Sequence, residues 1–128
     1  MHGKLIVFEG ISGTGKETQA KLLKQHLKEK GIECYIVYHP SPELKPILSY
    51  YKKERHADWK TLIYLLLADR YNKVTEVISP ALSKGEWVIS LRSSLSALVY
   101  QAENKKDRTW IQKQFAHFEP VPDSMYYF

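Results

Sequence analysis

The sequence predicts a three-layer α/β/α fold built on a parallel sheet. Two observations carry that reading. The candidate strands are short apolar runs without polar alternation, as expected of strands covered on both faces. Between them lie stretches with helical periodicity, so the order is strand, helix, strand, helix. The first strand is Leu5–Phe8, and a small-residue loop, Gly10–Gly15, follows it. From Lys16 to Lys30 the pattern is helical, with Ala20, Leu23 and Leu27 on one stripe and Gly31 placed to end the helix. A second strand spans Cys34–Tyr38. Ser41, Pro42 and Glu43 read as an N-cap, an N1 proline and an acidic first turn, opening a short helix to about Lys53. Asp58 caps a longer helix from Trp59 to about Ile78, with Leu62, Leu65, Leu66 and Tyr71 as its apolar positions, and Pro80 begins a last turn that Gly85 ends. Trp87–Ile89 is the third strand, Ser93–Gln101 a helix, and Asp107 caps a further helix to His117. Pro120 and Pro122 break the chain before a fourth strand, Ser124–Phe128, in which the sequence stops. The ending suggests a fragment.

The chain has 128 residues, 44% apolar and 26% charged, which fits one ordered domain spanning 1–128. No repeat, low-complexity tract or linker interrupts it. The longest apolar run, Leu62–Ala68, is too short to cross a bilayer. The first residues lead straight into a strand, so no signal peptide is expected. One cysteine, Cys34, excludes an intrachain disulfide framework and fits a reducing, cytoplasmic compartment. The net charge of +5 is spread over helix faces, which reads as solvation and suits anionic small molecules. No basic face interleaved with aromatics marks a nucleic-acid module.

Gly10, Gly15 and Lys16 stand at the spacing G-x-x-x-x-G-K, after a strand and before an amphipathic helix. Such a loop wraps main-chain N–H groups around phosphate oxygens, and glycine supplies the dihedrals and the close approach. The helix start adds its dipole and free N–H groups, and the lysine neutralises the β- and γ-phosphates. Gly10, Ser12, Gly13, Thr14, Gly15, Lys16, Glu17 and Thr18 are therefore the candidate ATP phosphate-binding residues. The fold class becomes a three-layer α/β/α P-loop NTPase fold with its C-terminal part missing. The pattern asks for Ser or Thr after the lysine, but Glu17 stands there. Three readings are open: a partner for the helix dipole, a carboxylate ligand for Mg²⁺, or a repulsive charge that marks lost activity.

The blocks Leu65–Arg70 and Val77–Ser90, then Arg92, Ser96 and Tyr100–Gln101, resemble the thymidylate kinases, as do Phe8-Glu9-Gly10 and Gln19. The resemblance implies transfer of the γ-phosphoryl of ATP to a nucleoside monophosphate, thymidylate in the typical case, with Mg²⁺ as cofactor and a homodimer as the common assembly. It implies catalytic roles for Lys16 and Arg92. It places Arg70 and Arg92 on the acceptor phosphate, and Leu66, Ser96, Tyr100 and Gln101 along the acceptor pocket. By themselves Arg70 reads as a surface ion pair with Asp69 or Glu76, Arg92 as a cap or salt bridge, and Tyr100 as core.

The sequence departs from the family pattern at four places. Ser12 replaces an acidic residue that contacts the acceptor sugar. Tyr38 replaces an arginine, Leu66 an aromatic that stacks on thymine, and Leu91 an aspartate that holds metal-bound water. One hypothesis joins two oddities: Glu17 supplies the Mg²⁺-directed charge that Leu91 lacks. No arginine occurs between Ile11 and Thr14, so the resemblance implies a catalytic arginine in a mobile lid beyond Phe128. The 128 residues alone should bind phosphates better than they transfer them. The rival readings are a non-catalytic nucleotide-binding module and a kinase with a different acceptor.

Overall fold

The computed structural model describes residues 3–11, 13–93 and 105–128. Four strands, β1 (Leu5–Glu9), β2 (Cys34–Tyr38), β3 (Trp87–Leu91) and β4 (Ser124–Tyr127), form one sheet in the order β2-β3-β1-β4. Every pairing is parallel: Phe8 lies opposite Leu91 and Tyr126, and Tyr38 opposite Leu91. The C-terminal ends of all four strands therefore lie along one rim of the sheet, where open α/β sheets hold their ligands.

Helix α1 (Lys16–Glu29) covers one face. Ala20 and Leu27 pack there with Ile6, Phe8, Cys34, Ile89 and Leu91. On the other face Leu5, Val37 and Val88 meet Val74, Ile78, Ala81 and Leu82. Alternate residues of β1 and β3 thus enter two separate cores, which is why neither strand shows a polar face. A third cluster, Leu44, Ile63, Leu66, Ile111 and Phe115, joins α2 (Leu44–Ser49), α3 (Trp59–Lys73) and α5 (Lys105–Ala116).

Some expected boundaries move. Asp58 does cap α3, with its carboxylate accepting from the Thr61 N–H at 2.8 Å. Ser41 does not cap α2: the helix begins at Leu44, and the Ser41 hydroxyl donates to Asp69 of α3 at 2.5 Å. Nor does α2 run to Lys53 as an α-helix; it passes at Tyr50 into a π-helical turn, Tyr50–Glu54. The long helix does not stop at Ile78. It passes through a π-helical turn, Val74–Ile78, into α4 (Ser79–Ser83). The wider turn precedes Pro80, whose ring would otherwise press on the carbonyl four residues back. Strand β3 extends to Leu91, and among the described residues α5 spans Lys105–Ala116, which puts Asp107 within the helix rather than at its cap. The expected helix Ser93–Gln101 lies, beyond Ser93, outside the described residues. No described helix is long and apolar enough to cross a membrane.

Candidate functional site

The loop between β1 and α1 turns on glycines. Gly13 and Gly15 hold φ of 84° and 87°, left-handed values that favour glycine. Gly15 is the N-cap of α1 and offers no side chain to its free N–H groups, so the helix start is open to an anion. Thr14 Oγ1 donates to the Ile11 carbonyl at 2.8 Å and folds the loop back on itself. Lys16, the first residue of α1, donates to the same carbonyl across a long 3.4 Å.

Around this loop lies a cavity of about 360 Å³. Lys16, Glu17, Tyr38, His39, Lys45 and Arg92 supply its charged and polar walls. Burial, and next the nearby Arg92 guanidinium, push the Lys16 pKa below its ordinary value. Cations that raise one another's energy in a shared hollow leave a field suited to a polyanion. A larger and mostly apolar hollow of about 800 Å³, bordered by Ile6, Phe8, Leu23, Trp87 and Tyr126, lies on the α1 face and holds none of these groups.

Arg92 follows β3 with φ of 74°, a left-handed conformation that costs a non-glycine residue about 1–2 kcal/mol. Its N–H donates to the Phe8 carbonyl at 2.8 Å. Its own carbonyl accepts the Ser90 hydroxyl at 2.6 Å. On the next residue the Glu9 carboxylate accepts the Ser93 N–H at 3.1 Å and the Ser93 hydroxyl at 2.7 Å. Bonds from β1 and from Ser90 of β3 itself thus brace the segment carrying Arg92.

Arg70 is elsewhere. It is fully buried and does not line the cavity. Nε and Nη2 donate to the Glu119 carboxylate at 2.9 and 2.6 Å, and Nη1 donates to Ser90 Oγ at 2.9 Å. Neither Asp69 nor Glu76 is its partner, contrary to the ion pairs its own sequence neighbourhood suggested; Asp69 is engaged by Ser41. Leu66 packs in the cluster between α3 and α5. Ser12, Ser96, Tyr100 and Gln101 lie outside the described residues. The structure therefore gathers Gly13, Gly15, Lys16, Glu17, Thr18 and Arg92 at one cavity and keeps Arg70 and Leu66 in the interior beside it.

Sequence reasoning missed four residues here. Lys45 lines the cavity from α2, and His39 from the end of β2. Ser90 could have been found, because it is the one hydroxyl in an otherwise apolar strand. Glu119 carried no signal, since it stands forty-nine positions from Arg70. His39 is buried with both ring nitrogens unpartnered, and its Nδ1 lies 3.8 Å from Asp69. Burial, then Arg70 and Arg92, lower its pKa to about 3, so the ring is neutral.

A parallel sheet, a glycine-turned loop and a lysine at the following helix start define a P-loop nucleotide-binding protein of the α/β class. The comparisons with known proteins narrow this. The thymidylate kinase family model matches residues 8–128, and the chain belongs to the thymidylate kinase family. A probable thymidylate kinase of Pyrococcus horikoshii is 40% identical over 130 residues, covering 96% of this chain and 63% of its relative. A thymidylate kinase of Nitrosomonas eutropha is 34% identical, covering 98% and 61%. The chain thus spans about three fifths of the curated relatives it matches. The crystal structure of a thymidylate kinase from Ehrlichia chaffeensis superposes with a TM-score of 0.81 at 25% identity, covering 99% of this chain and 75% of that one.

Proposed function

We propose that the protein transfers the γ-phosphoryl group of ATP to a nucleoside monophosphate, thymidylate first among the acceptors, and that these residues supply the phosphate-holding half of the site. The observation that supports this most is the shared cavity of Lys16 and Arg92, at the open start of α1. Phosphoryl transfer asks a protein chiefly to align two anions and to balance their charge. In this reading the loop from Gly10 to Gly15, with Ser12, Gly13 and Thr14 between, wraps the donor phosphates, and Lys16 balances their charge, as do the N–H groups of Glu17 and Thr18. Arg92 grips the acceptor phosphate from the opposite wall. Ser96, Tyr100 and Gln101 line the acceptor nucleoside.

Mg²⁺ suits the residues present. No cluster of three His, Cys, Asp or Glu occurs among the described residues, but this ion takes one or two carboxylates and completes its shell with substrate phosphates and water. The Glu17 carboxylate, on the same cavity as Lys16, would hold it. When bound, the ion spreads the negative charge of the β- and γ-oxygens.

A second reading, a nucleotide-binding module without transfer activity, is favoured by Leu91. It is 3% exposed and packed among Ile6, Phe8 and Ile89, so it offers the metal region no oxygen. A coupled assay of ADP release against a panel of nucleoside monophosphates, run on a chain that spans the full length of the relatives, separates the two. Kinase activity predicts ADP release that depends on the acceptor, greatest with dTMP. Tight ATP binding with no acceptor-dependent release would establish the module instead.

A further inference from the structure

Arg92 occupies a strained backbone conformation, and its carbonyl is the end of a chain of buried and part-buried hydrogen bonds. Glu119 accepts from two nitrogens of Arg70, at 2.9 and 2.6 Å. The third nitrogen of Arg70 donates to Ser90 Oγ at 2.9 Å, and Ser90 Oγ donates to the Arg92 carbonyl at 2.6 Å. Arg70 and Ser90 are both 0% exposed. The donor order is fixed at each step. A guanidinium can only donate, so Ser90 must accept from it; its single proton then goes to Arg92. A hydroxyl that accepts from a cation is itself a stronger donor, so the links reinforce one another.

We propose that Glu119, Arg70 and Ser90 are positioning residues for Arg92, holding the left-handed turn that aims its guanidinium at the cavity shared with Lys16. A purely structural ion pair would need only Arg70 and Glu119. The third nitrogen is spent on Ser90, and Ser90 spends its proton on the strained residue. Through Ser90, Arg70 thereby acts on the acceptor side by way of Arg92. The chain ends on Arg92 and includes no residue of the phosphate loop, so its loss should disturb acceptor binding and spare ATP binding. The inference rests on the reading of Arg92 as the acceptor-phosphate residue.

The test uses the full 128-residue chain and the variant Ser90→Ala. NMR reads the φ-dependent amide coupling of Arg92 without any ligand, and calorimetry reads the affinities for dTMP and ATP. Ser90→Ala should move the Arg92 coupling out of the left-handed range. It should weaken dTMP roughly tenfold, the scale of one net buried hydrogen bond, and leave ATP unchanged. Ser90→Thr, which keeps the hydroxyl, should restore both. An Arg92 coupling that stays at its original value, or equal losses for dTMP and ATP, would overturn the proposal. If Ser90→Ala does not fold, Ser90→Cys keeps the volume with a much weaker donor and reads the same coupling. A parent chain that binds no dTMP would refute the kinase reading alone, since the coupling still decides the positioning chain.

Discussion

Tyr38 donates its phenolic hydrogen bond to the Glu17 carboxylate at 2.9 Å, joining the end of β2 to the first turn of α1 across the cavity. Both residues depart from an expected pattern: the family resemblance expects an arginine at Tyr38, and the phosphate-loop spacing a Ser or Thr at Glu17. The two departures are therefore partners. The bond from Tyr38, and next the charge of Lys21, holds the Glu17 carboxyl below the usual value of 4.5. In turn burial, then the bond to Glu17, raises the Tyr38 phenol.

Removing that donor should be visible at Glu17. In Tyr38→Phe the Glu17 carboxyl should titrate closer to 4.5, measured by ¹³C NMR of the side-chain carboxyl. The stabilisation that Tyr38 brings is present above the ordinary carboxylate range and is lost as pH falls through the lowered native value. The variant and the parent should therefore converge in acid. An unmoved titration midpoint would dissociate the two residues.

Lys16 contributes little to the fold and much to the site. Among the described residues its one hydrogen bond is long, and Arg92 and Lys45 both oppose its charge. Lys16→Met, which keeps the apolar stem, should leave the melting temperature unchanged or slightly raised. A charge-assisted bond to phosphate is worth about 1.5–3 kcal/mol, so ATP affinity should fall roughly 10- to 100-fold by calorimetry.

Two glycines of the loop should fail for different reasons. At Gly15 an added Cβ meets nothing within 4 Å, so Gly15→Ala should cost only its left-handed strain, about 1–2 kcal/mol. At Gly10 the added atom would stand 3.0 Å from the Phe128 carbonyl oxygen and 3.2 Å from Thr14 Oγ1. Gly10→Ala should therefore also loosen the end of β4 from β1. Urea midpoints should place Gly10→Ala below Gly15→Ala.

His39 makes the fold sensitive to acid. Its native pKa is about 3 against an ordinary 6.5, because burial, then Arg70 and Arg92, disfavour the charged ring. Below pH 6.5 the unfolded chain takes up a proton that the native ring refuses. The stability due to neutral His39 is thus complete above pH 6.5 and declines as pH drops toward 3, by up to about 1.4 kcal/mol per pH unit. Stability curves of the parent and His39→Gln, measured by urea unfolding across that range, should differ in slope by this amount. Parallel curves would assign the acid sensitivity to other groups.

Much of this architecture was legible in the sequence because its signals are local. Leu5–Phe8, Gly31 and Asp58 each mark an element by their immediate neighbours, and the glycine spacing before Lys16 marks the loop. Contacts between distant segments were not legible. Nothing around Arg70 points to Glu119, and nothing around Ser41 shows that its hydroxyl leaves its own helix for Asp69. Propensity misplaced the start of α2 because the tertiary bond to Asp69 outweighed a local cap. Pro80 read as the opening of a last turn, and α4 is that turn; the π-helical turn that joins it to α3 carried no local signal.

The hydroxyl of Ser90 has one more consequence. Strands β1 and β3 are covered on both sides, so greasy side chains alone specify their mutual offset poorly. Were β3 to slide by a single position, Ser90 would turn toward α1, and Arg70 would be left with a donor facing hydrocarbon. That error is expensive in a dry interior. The same contact thus works as an alignment key, rejecting misthreaded sheets while the molecule is still assembling.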